Sequence, residues 1–164
     1  MLPVAVTGCS ASPSSTTATS SPAPSVTAAT STAWTLAQAC DYWRTGAGPV
    51  VKAYDAMRAA RTKQNTGVTS WKTVRDATGP YGSASRTFAG HLLSPPQPFP
   101  TPLATSVPPV TSFTLLSAAW AERVSRATTE AGFTTLWADD PGSQALPSDY
   151  TEAQTAIDQA CPRG

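Results

Sequence analysis

Apolar residues recur every three or four positions through most of residues 34–164, which is the spacing of amphipathic helices. We predict a first helix over Thr35–Arg44, ended by the glycines of Gly46-Ala47-Gly48. Pro49 suits the first turn of a second helix, which the pattern extends to Lys63. The turn residues Asn65-Thr66-Gly67 then form its exit.

A third helix carries the longest apolar stripe, and its register passes through Gly79-Pro80, which predicts one kinked helix. Its members are Trp71, Val74, Ala77, Tyr81, Ala84, Phe88 and Leu92. The next stripe predicts a fourth helix that ends at Gly132, with the members Phe113, Leu116, Trp120, Val124 and Ala127. Residues 95–109, between these helices, contain seven prolines. We interpret this run as a rigid crossover that packs Phe99 on the bundle end, with a polyproline ligand as the alternative.

The last stripe lies near the end of the chain and consists of Tyr150, Ala153, Ile157 and Cys161. Asp149 and Glu152 at its start resemble a capping box. Alternation with a period of two is nearly absent, which argues against strands. The sequence therefore predicts an all-α domain over residues 34–164, a small bundle of four to five helices.

The segment before the domain has a different composition. Residues 1–40 contain no Asp, Glu, Lys or Arg, and 23 of the 24 residues at 10–33 are Ser, Thr, Ala or Pro. Such a segment has too few apolar groups to offset the entropy lost on ordering a backbone. We expect residues 10–33 to be a disordered tether.

Val6-Thr7-Gly8 directly before Cys9 resembles the lipobox of bacterial lipoproteins. The resemblance implies cleavage before Cys9, attachment of fatty acyl chains such as palmitate to that residue, and an extracytoplasmic domain anchored to the cell membrane. The tether, the Ala/Thr/Pro bias and the helical layout resemble small lipoproteins of actinobacteria. A complete export signal has a basic region and an apolar region of about 7–15 residues. We therefore expect residues 1–9 to be the end of a truncated signal.

The chain has three cysteines, and acylation of Cys9 would leave Cys40 and Cys161. Both lie on apolar stripes of predicted helices, one near the start of the domain and one at its end. We predict a Cys40–Cys161 disulfide, which requires an oxidising compartment; two buried free thiols are the alternative. The cysteines and the single histidine show no metal-ligand spacing, so we predict no metal site.

Residues able to do catalytic chemistry are few. His91 is the single histidine and lies near a helix C-terminus, where a favourable charge is a more common role than catalysis. Asp139-Asp140 precede Pro141-Gly142, which is typical of a turn. Glu122 and Glu130 lack the histidine partners of a di-iron bundle. We predict no catalytic residue and no cofactor.

The formal net charge of +1 argues against nucleic-acid binding. Five tryptophans could fill the core or line a cleft: Trp34, Trp43, Trp71, Trp120 and Trp137. We expect Trp71 and Trp120 in the core and regard Trp34 and Trp137 as surface candidates. Arg44, Arg58, Arg61 and Lys63 form a mild basic patch, which we interpret as a solvated face.

Three functions follow from these features. The first is a monomeric, lipid-anchored domain without enzymatic activity that binds a partner in the cell envelope. The second is a small-molecule binding module with an aromatic-lined pocket. The third is an enzyme that uses the carboxylates of Asp55, Asp139 or Asp140.

Overall fold

The computed structural model describes residues 33–162. The predicted signal at 1–9, the lipid attachment at Cys9 and all but the last residue of the tether at 10–33 lie outside this range. Within it the chain forms five helices of nine or more residues and one single-turn helix, with no strand. They are α1 (Leu36–Asn65), α2 (Trp71–Leu93), α3 (Thr101–Ala104), α4 (Val107–Ser125), α5 (Glu130–Ala138) and α6 (Ser148–Ala160). The predicted all-α bundle is confirmed.

The first two predicted helices are one continuous helix, so the expected break at Gly46-Ala47-Gly48 is wrong. A Cβ at Gly46 would lie 2.6 Å from His91 Cδ2, so this glycine lets α1 and α2 approach each other. Pro49 lies inside α1, where it lacks the N–H that would bond the carbonyl four residues earlier. Packing of the flanking Trp43 and Val50 into the core outweighs that loss.

Helix α2 passes through Gly79 and Pro80 without interruption, as predicted. It packs closely on α4, because a Cβ at Gly82 would lie only 3.0 Å from Ala121 Cβ. The expected end of the fourth helix at Gly132 is wrong. Helix α4 ends at Ser125, and Gly132 lies inside α5, where its N–H donates to Thr129 Oγ1 (3.1 Å).

The buried face of α4 also differs from the predicted stripe. Leu116 is 59% exposed, and Leu115 beside it is exposed as well. The face towards the bundle consists instead of Val110, Thr111, Thr114, Ser117, Ala118, Trp120, Ala121 and Val124. The close approach to α2 explains this choice, since small side chains fit between two backbones and leucines do not.

The proline-rich segment connects α2 to α4, as the crossover interpretation predicts. Phe99 packs on the bundle end, with ring centroids 5.5 Å from Trp34 and 6.0 Å from Trp43. Leu103 of α3 is fully buried in the same cluster. The segment therefore contributes to the core and is held by it.

Helix α6 closes the domain at the end of the chain. The predicted capping box is wrong, because Pro147 occupies the N-cap and Asp149 Oδ1 accepts from the N–H of Tyr150 (2.9 Å). The predicted disulfide between Cys40 and Cys161 is present, with the two Cα atoms 5.5 Å apart. It links Cys40, the fifth residue of α1, to Cys161, the residue directly after α6.

The core divides into two clusters of buried residues. One surrounds the disulfide and contains Trp43, Phe88, Leu92, Leu103, Val110 and Ile157; the other is centred on Trp120 and contains Met57, Val74, Tyr81, Val124 and Phe133. Val50 packs against both clusters. In the described range of 33–162, no helix has the length and hydropathy needed to cross a bilayer.

Candidate functional site: an aromatic cleft between four helices

Helices α1, α2, α4 and α6 enclose a cleft of about 730 Å³. Five of the residues that line it are aromatic: Trp43, Tyr81, Phe88, Phe113 and Tyr150. Pockets for small molecules commonly measure about 300–1,000 Å³ and are lined by apolar and aromatic groups with a few polar ones. The volume of this cleft falls within that range, and its lining is mostly apolar.

Helical spacing explains why these side chains share one space. On α2 the lining residues Tyr81, Ser85 and Phe88 are four and three positions apart, which places them on one face. On α1 the residues facing the cleft include Ala47 and Gly48, which are too small to fill it. The cleft therefore exists because the middle of α1 presents small residues opposite the α2 face.

Helix α6 forms the outer wall, and three contacts fix it. The disulfide ties its end to α1, and Cys161 itself lines the cleft. Arg44 Nη2 donates to the carbonyl oxygen of Pro162 (2.8 Å). At the other end the ring of Tyr150 stacks on Phe113 of α4, with centroids 4.1 Å apart.

The floor of the cleft carries hydroxyl groups. Ser85 is fully buried, and its hydroxyl lies beside the Tyr81 phenol. Burial raises the pKa of Tyr81, and the neighbouring Ser117 and Ser85 hydroxyls oppose that rise. Burial also raises the pKa of Tyr150. Both phenols therefore stay protonated at neutral pH and can donate hydrogen bonds.

The charged groups that line the cleft lie at its rim. They are Arg44, Lys52, Asp55 and Asp158, and all four residues are exposed. Two are basic and two are acidic, so the rim has no net charge. The interior is apolar apart from its hydroxyls.

His91 pairs with Tyr42 of α1 and does not line the cleft. Its Nε2 lies 3.0 Å from the carbonyl oxygen of Tyr42, whose hydroxyl donates to the carbonyl oxygen of His91 (2.9 Å). The two rings stack with centroids 3.6 Å apart. This reciprocal pair joins α1 to α2 at the Gly46 crossing and lies outside the residues that line the cleft.

The carboxylates considered for catalysis do not share one site. Asp55 lies at the rim of the aromatic cleft, whereas Asp140 lines a second, smaller cleft of about 340 Å³. Asp140 Oδ1 accepts from the Gly142 N–H (2.9 Å), which is the turn that the sequence predicts. Burial raises the pKa of Asp140. Asp139 is exposed.

The two glutamates weighed as di-iron ligands also lie apart from the cleft lining. Glu122 Oε1 accepts from Arg86 Nε (2.9 Å) in an ion pair between α4 and α2. Glu130 is exposed in the first turn of α5. Within residues 33–162, no three His, Cys, Asp or Glu side chains are grouped so that they could hold a metal ion.

The burial of the tryptophans differs in part from the prediction. Trp120 is buried as expected, and its Nε1 donates to the carbonyl oxygen of Leu136 (2.9 Å). Trp71 is half-buried, and Trp34 and Trp137 are half-buried rather than exposed. Trp43 is the tryptophan that lines the cleft, although the sequence offered no reason to single it out.

The four basic residues that we expected to form one patch lie apart in the structure. Arg44 precedes Arg58 by 14 positions in α1, which corresponds to about 21 Å at 1.5 Å per residue. The guanidinium of Arg61 lies over the Trp137 ring, 5.0 Å from its centroid. The four cations are therefore spread along α1 and do not form one compact patch.

The sequence pattern did not single out the hydroxyl-bearing residues of α4 that line the cleft, Thr114 and Ser117. Val110, Thr114, Ser117, Ala121 and Val124 follow each other at steps of four, three, four and three, which is a valid helical stripe. The predicted stripe through Leu116 consists of more apolar residues and shares Val124 with this one. The small residues on α2 and α4 were the available signal.

Neither a family model, nor a curated protein, nor a solved structure matches this chain. Any function must therefore be argued from the site.

Proposed function

We propose that this chain is an extracytoplasmic lipoprotein of the cell envelope, and that its helical domain binds a small, largely apolar molecule in the aromatic cleft. The observation that carries the binding proposal is the 730 Å³ cleft with Trp43, Tyr81, Phe88, Phe113 and Tyr150 in its walls. A domain of this size normally fills its interior to the density of an organic crystal. Space kept open beside five aromatic rings favours a ligand.

The anchoring part of the proposal rests on the sequence around Cys9 and on the tether that follows it. The Cys40–Cys161 disulfide supports export, since such bonds persist in oxidising compartments. No catalytic role is proposed, because Asp55 and Asp140 line different cavities.

The binding proposal is tested with Nile red, a neutral dye that fluoresces when it leaves water for an apolar site. We expect saturable fluorescence with the full-length protein and its loss in Ala47→Phe, because the added ring would occupy the cleft beside α1. Ala59→Phe makes the same substitution at an exposed position of the same helix and should bind like the wild type. Equal binding by both variants would show that the dye sits elsewhere.

The anchoring proposal has its own test. The intact mass of the protein after detergent extraction should correspond to a chain that begins at Cys9, plus acyl groups and minus two hydrogens for the disulfide. Cys9→Ala should release the protein from the membrane into the medium. An unacylated chain with three free thiols would rule out both the anchor and export.

A protein partner in the envelope is the second candidate, and one observation favours it. Leu115 and Leu116 are adjacent and exposed on α4, so they offer an apolar surface. Leu116→Ser would weaken contact with such a partner and leave Nile red binding unchanged. This variant therefore separates the two candidates.

A further inference from the structure

The second cleft, of about 340 Å³, lies beside the C-terminal half of α1 and is separate from the aromatic cleft, because no residue lines both. Arg58 and Arg61 line it from α1, and Trp137 lines it from α5. The two arginines are three positions apart, so helical spacing places them next to each other on α1. The second cleft therefore brings two guanidinium groups to one concave surface.

Both guanidinium groups are held in place by uncharged neighbours. That of Arg61 lies over the Trp137 ring, 5.0 Å from its centroid, and its Nη1 donates to Gln64 Oε1 (2.5 Å). The guanidinium carbon of Arg58 lies 5.7 Å from the centroid of the Tyr54 ring. A long side chain that is already ordered loses less entropy when it binds a ligand. The two groups are therefore prepared to bind an anion.

Neither guanidinium forms an ion pair with a carboxylate in residues 33–162, where the arginines that do so are Arg44, Arg75 and Arg86. Asp140 lines the same cleft. Burial raises the pKa of Asp140, and the Gly142 N–H and the Arg58 guanidinium oppose that rise. Since two guanidinium groups face one carboxylate, the lining has an excess of positive charge.

The donors of the second cleft fit a phosphate better than a carboxylate. A guanidinium presents parallel N–H donors that bind two oxygens of one anion. A carboxylate has two oxygens, which one guanidinium already occupies, whereas a phosphate ester has three acceptor oxygens and can bind both arginines. The side chains of Thr62, Asn65 and Ser143 also line the cleft. These polar groups favour a ligand whose body carries hydroxyls.

We infer that the second cleft binds a small hydroxylated phosphate ester, such as a sugar phosphate or a glycerol phosphate, whose phosphoryl oxygens accept hydrogen bonds from Arg58 and Arg61. Thr62, Asn65 and Ser143 would contact the hydroxyls of its body. The inference depends neither on a ligand in the aromatic cleft nor on the lipid anchor.

Three probes with related three-carbon bodies test this inference by isothermal titration calorimetry with the full-length protein: glycerol 3-phosphate, glycerate and glycerol. We expect glycerol 3-phosphate to bind about ten times more tightly than glycerate, because it can engage both arginines and a hydrogen bond to a charged group is worth about that factor. Glycerol should not bind. Glycerate that binds as tightly as the phosphate, or a phosphate that does not bind, would overturn the inference.

Arg58→Gln and Arg61→Gln should each weaken the binding of glycerol 3-phosphate about tenfold. Arg58 is exposed, so its substitution tests the site even if loss of the contact between Arg61 and Trp137 disturbs the fold. Arg123→Gln is the matched control, because Arg123 is exposed on α4 and lines neither cleft. It should bind like the wild type. Equal losses in all three variants would show attraction by net charge alone, and the inference would be wrong.

Asp140→Asn has the opposite expected effect. The asparagine oxygen can still accept from the Gly142 N–H, so the turn is kept while a negative charge beside Arg58 is removed. Glycerol 3-phosphate should therefore bind several-fold more tightly. Unchanged binding would place the phosphate away from Arg58 and contradict the inference.

Vesicles of phosphatidylglycerol test whether the phosphate belongs to a lipid headgroup instead. The Cys9→Ala chain is used, because it cannot be acylated at that position. We expect no sedimentation with the vesicles that depends on Arg58 or Arg61, since segments that bind anionic membranes carry clusters of about four to eight basic residues. Sedimentation that needs these arginines, together with no binding of glycerol 3-phosphate, would assign the cleft to a headgroup and overturn the inference.

Discussion

Two walls of the cleft, α4 and α6, are held in the bundle in different ways. Helix α4 buries eight of its 19 residues and meets α2 so closely that Gly82 has no room for a side chain. Helix α6 buries two of its 13 residues, Ala153 and Ile157. Packing therefore fixes α4, whereas α6 depends on the disulfide and on the stacking of Tyr150 on Phe113.

Because of this difference, substitutions at α4 and at α6 should affect the free energy of unfolding and ligand binding to different extents. A change at the contact of α2 with α4 affects the packed frame, and so the free energy of unfolding. A change in the attachment of α6 also moves a wall of the cleft, so it affects the ligand as well. The predictions below test this distinction in order of decreasing effect.

The largest effect is expected from removing the disulfide with the double substitution Cys40→Ala and Cys161→Ala. The bond spans 121 positions, and chain-entropy models assign about 4–5 kcal/mol to a loop of that length. We expect the free energy of unfolding in urea to fall by about that amount and Nile red binding to weaken, because α6 is released.

Cys9→Ala is the control for this experiment, because it also replaces a cysteine but leaves the disulfide in place. It should unfold at the same urea concentration as the wild type. A double variant that keeps full Nile red binding would show that packing alone holds α6.

A smaller effect is expected from Gly82→Val at the contact of α2 with α4. The added carbon atoms would overlap Ala121, and overpacking of this kind costs about 1–3 kcal/mol. Thermal unfolding measures this loss. Gly90→Val makes the same change on α2 where nothing lies within 4 Å of the added Cβ, so it should be neutral or slightly stabilising. Equal losses in both variants would contradict the close approach.

The smallest effect concerns Tyr150 on the α6 wall at alkaline pH. Burial raises the pKa of this phenol, and the nearby Tyr81 and Tyr54 add to the rise. A raised folded-state pKa gives a stability contribution that is complete below about pH 10 and is lost as the pH rises through the folded-state value. Stability should therefore fall above about pH 10.

Tyr150→Phe cannot ionise and keeps the ring that stacks on Phe113. Its stability should fall less steeply than that of the wild type between pH 9 and pH 11, as measured by urea midpoints. Identical slopes for the two proteins would mean that Tyr150 ionises as freely in the folded state as in the unfolded chain.

Several features of the fold were predictable from short-range patterns in the sequence. The stripe from Trp71 to Leu92 predicted α2 through Pro80, because a proline in register with a strong apolar face bends a helix rather than ending it. The positions of Cys40 and Cys161 on apolar stripes predicted the disulfide that the structure contains. The turn at Asp140 followed from its Pro-Gly sequence.

Local patterns failed where a neighbouring helix decided the outcome. Gly46 looks like a stop signal in the sequence, but it serves as a contact between α1 and α2 because His91 lies against it. Leu116 looks like a core residue, but the narrow space beside α2 accepts Thr114 and Ser117 instead. Neither neighbour is near in sequence, so the pattern within a single helix does not decide the outcome.

The sequence by itself determined that this domain is helical, that one disulfide could close it and that its chemistry-bearing residues are sparse. These properties depend on the spacing and type of residues, which a single chain displays directly. Only the tertiary structure decided which face of α4 is buried and that an open cleft lies beside Trp43. Those features depend on how closely two helices approach, and that distance is set by side chains far apart in the sequence.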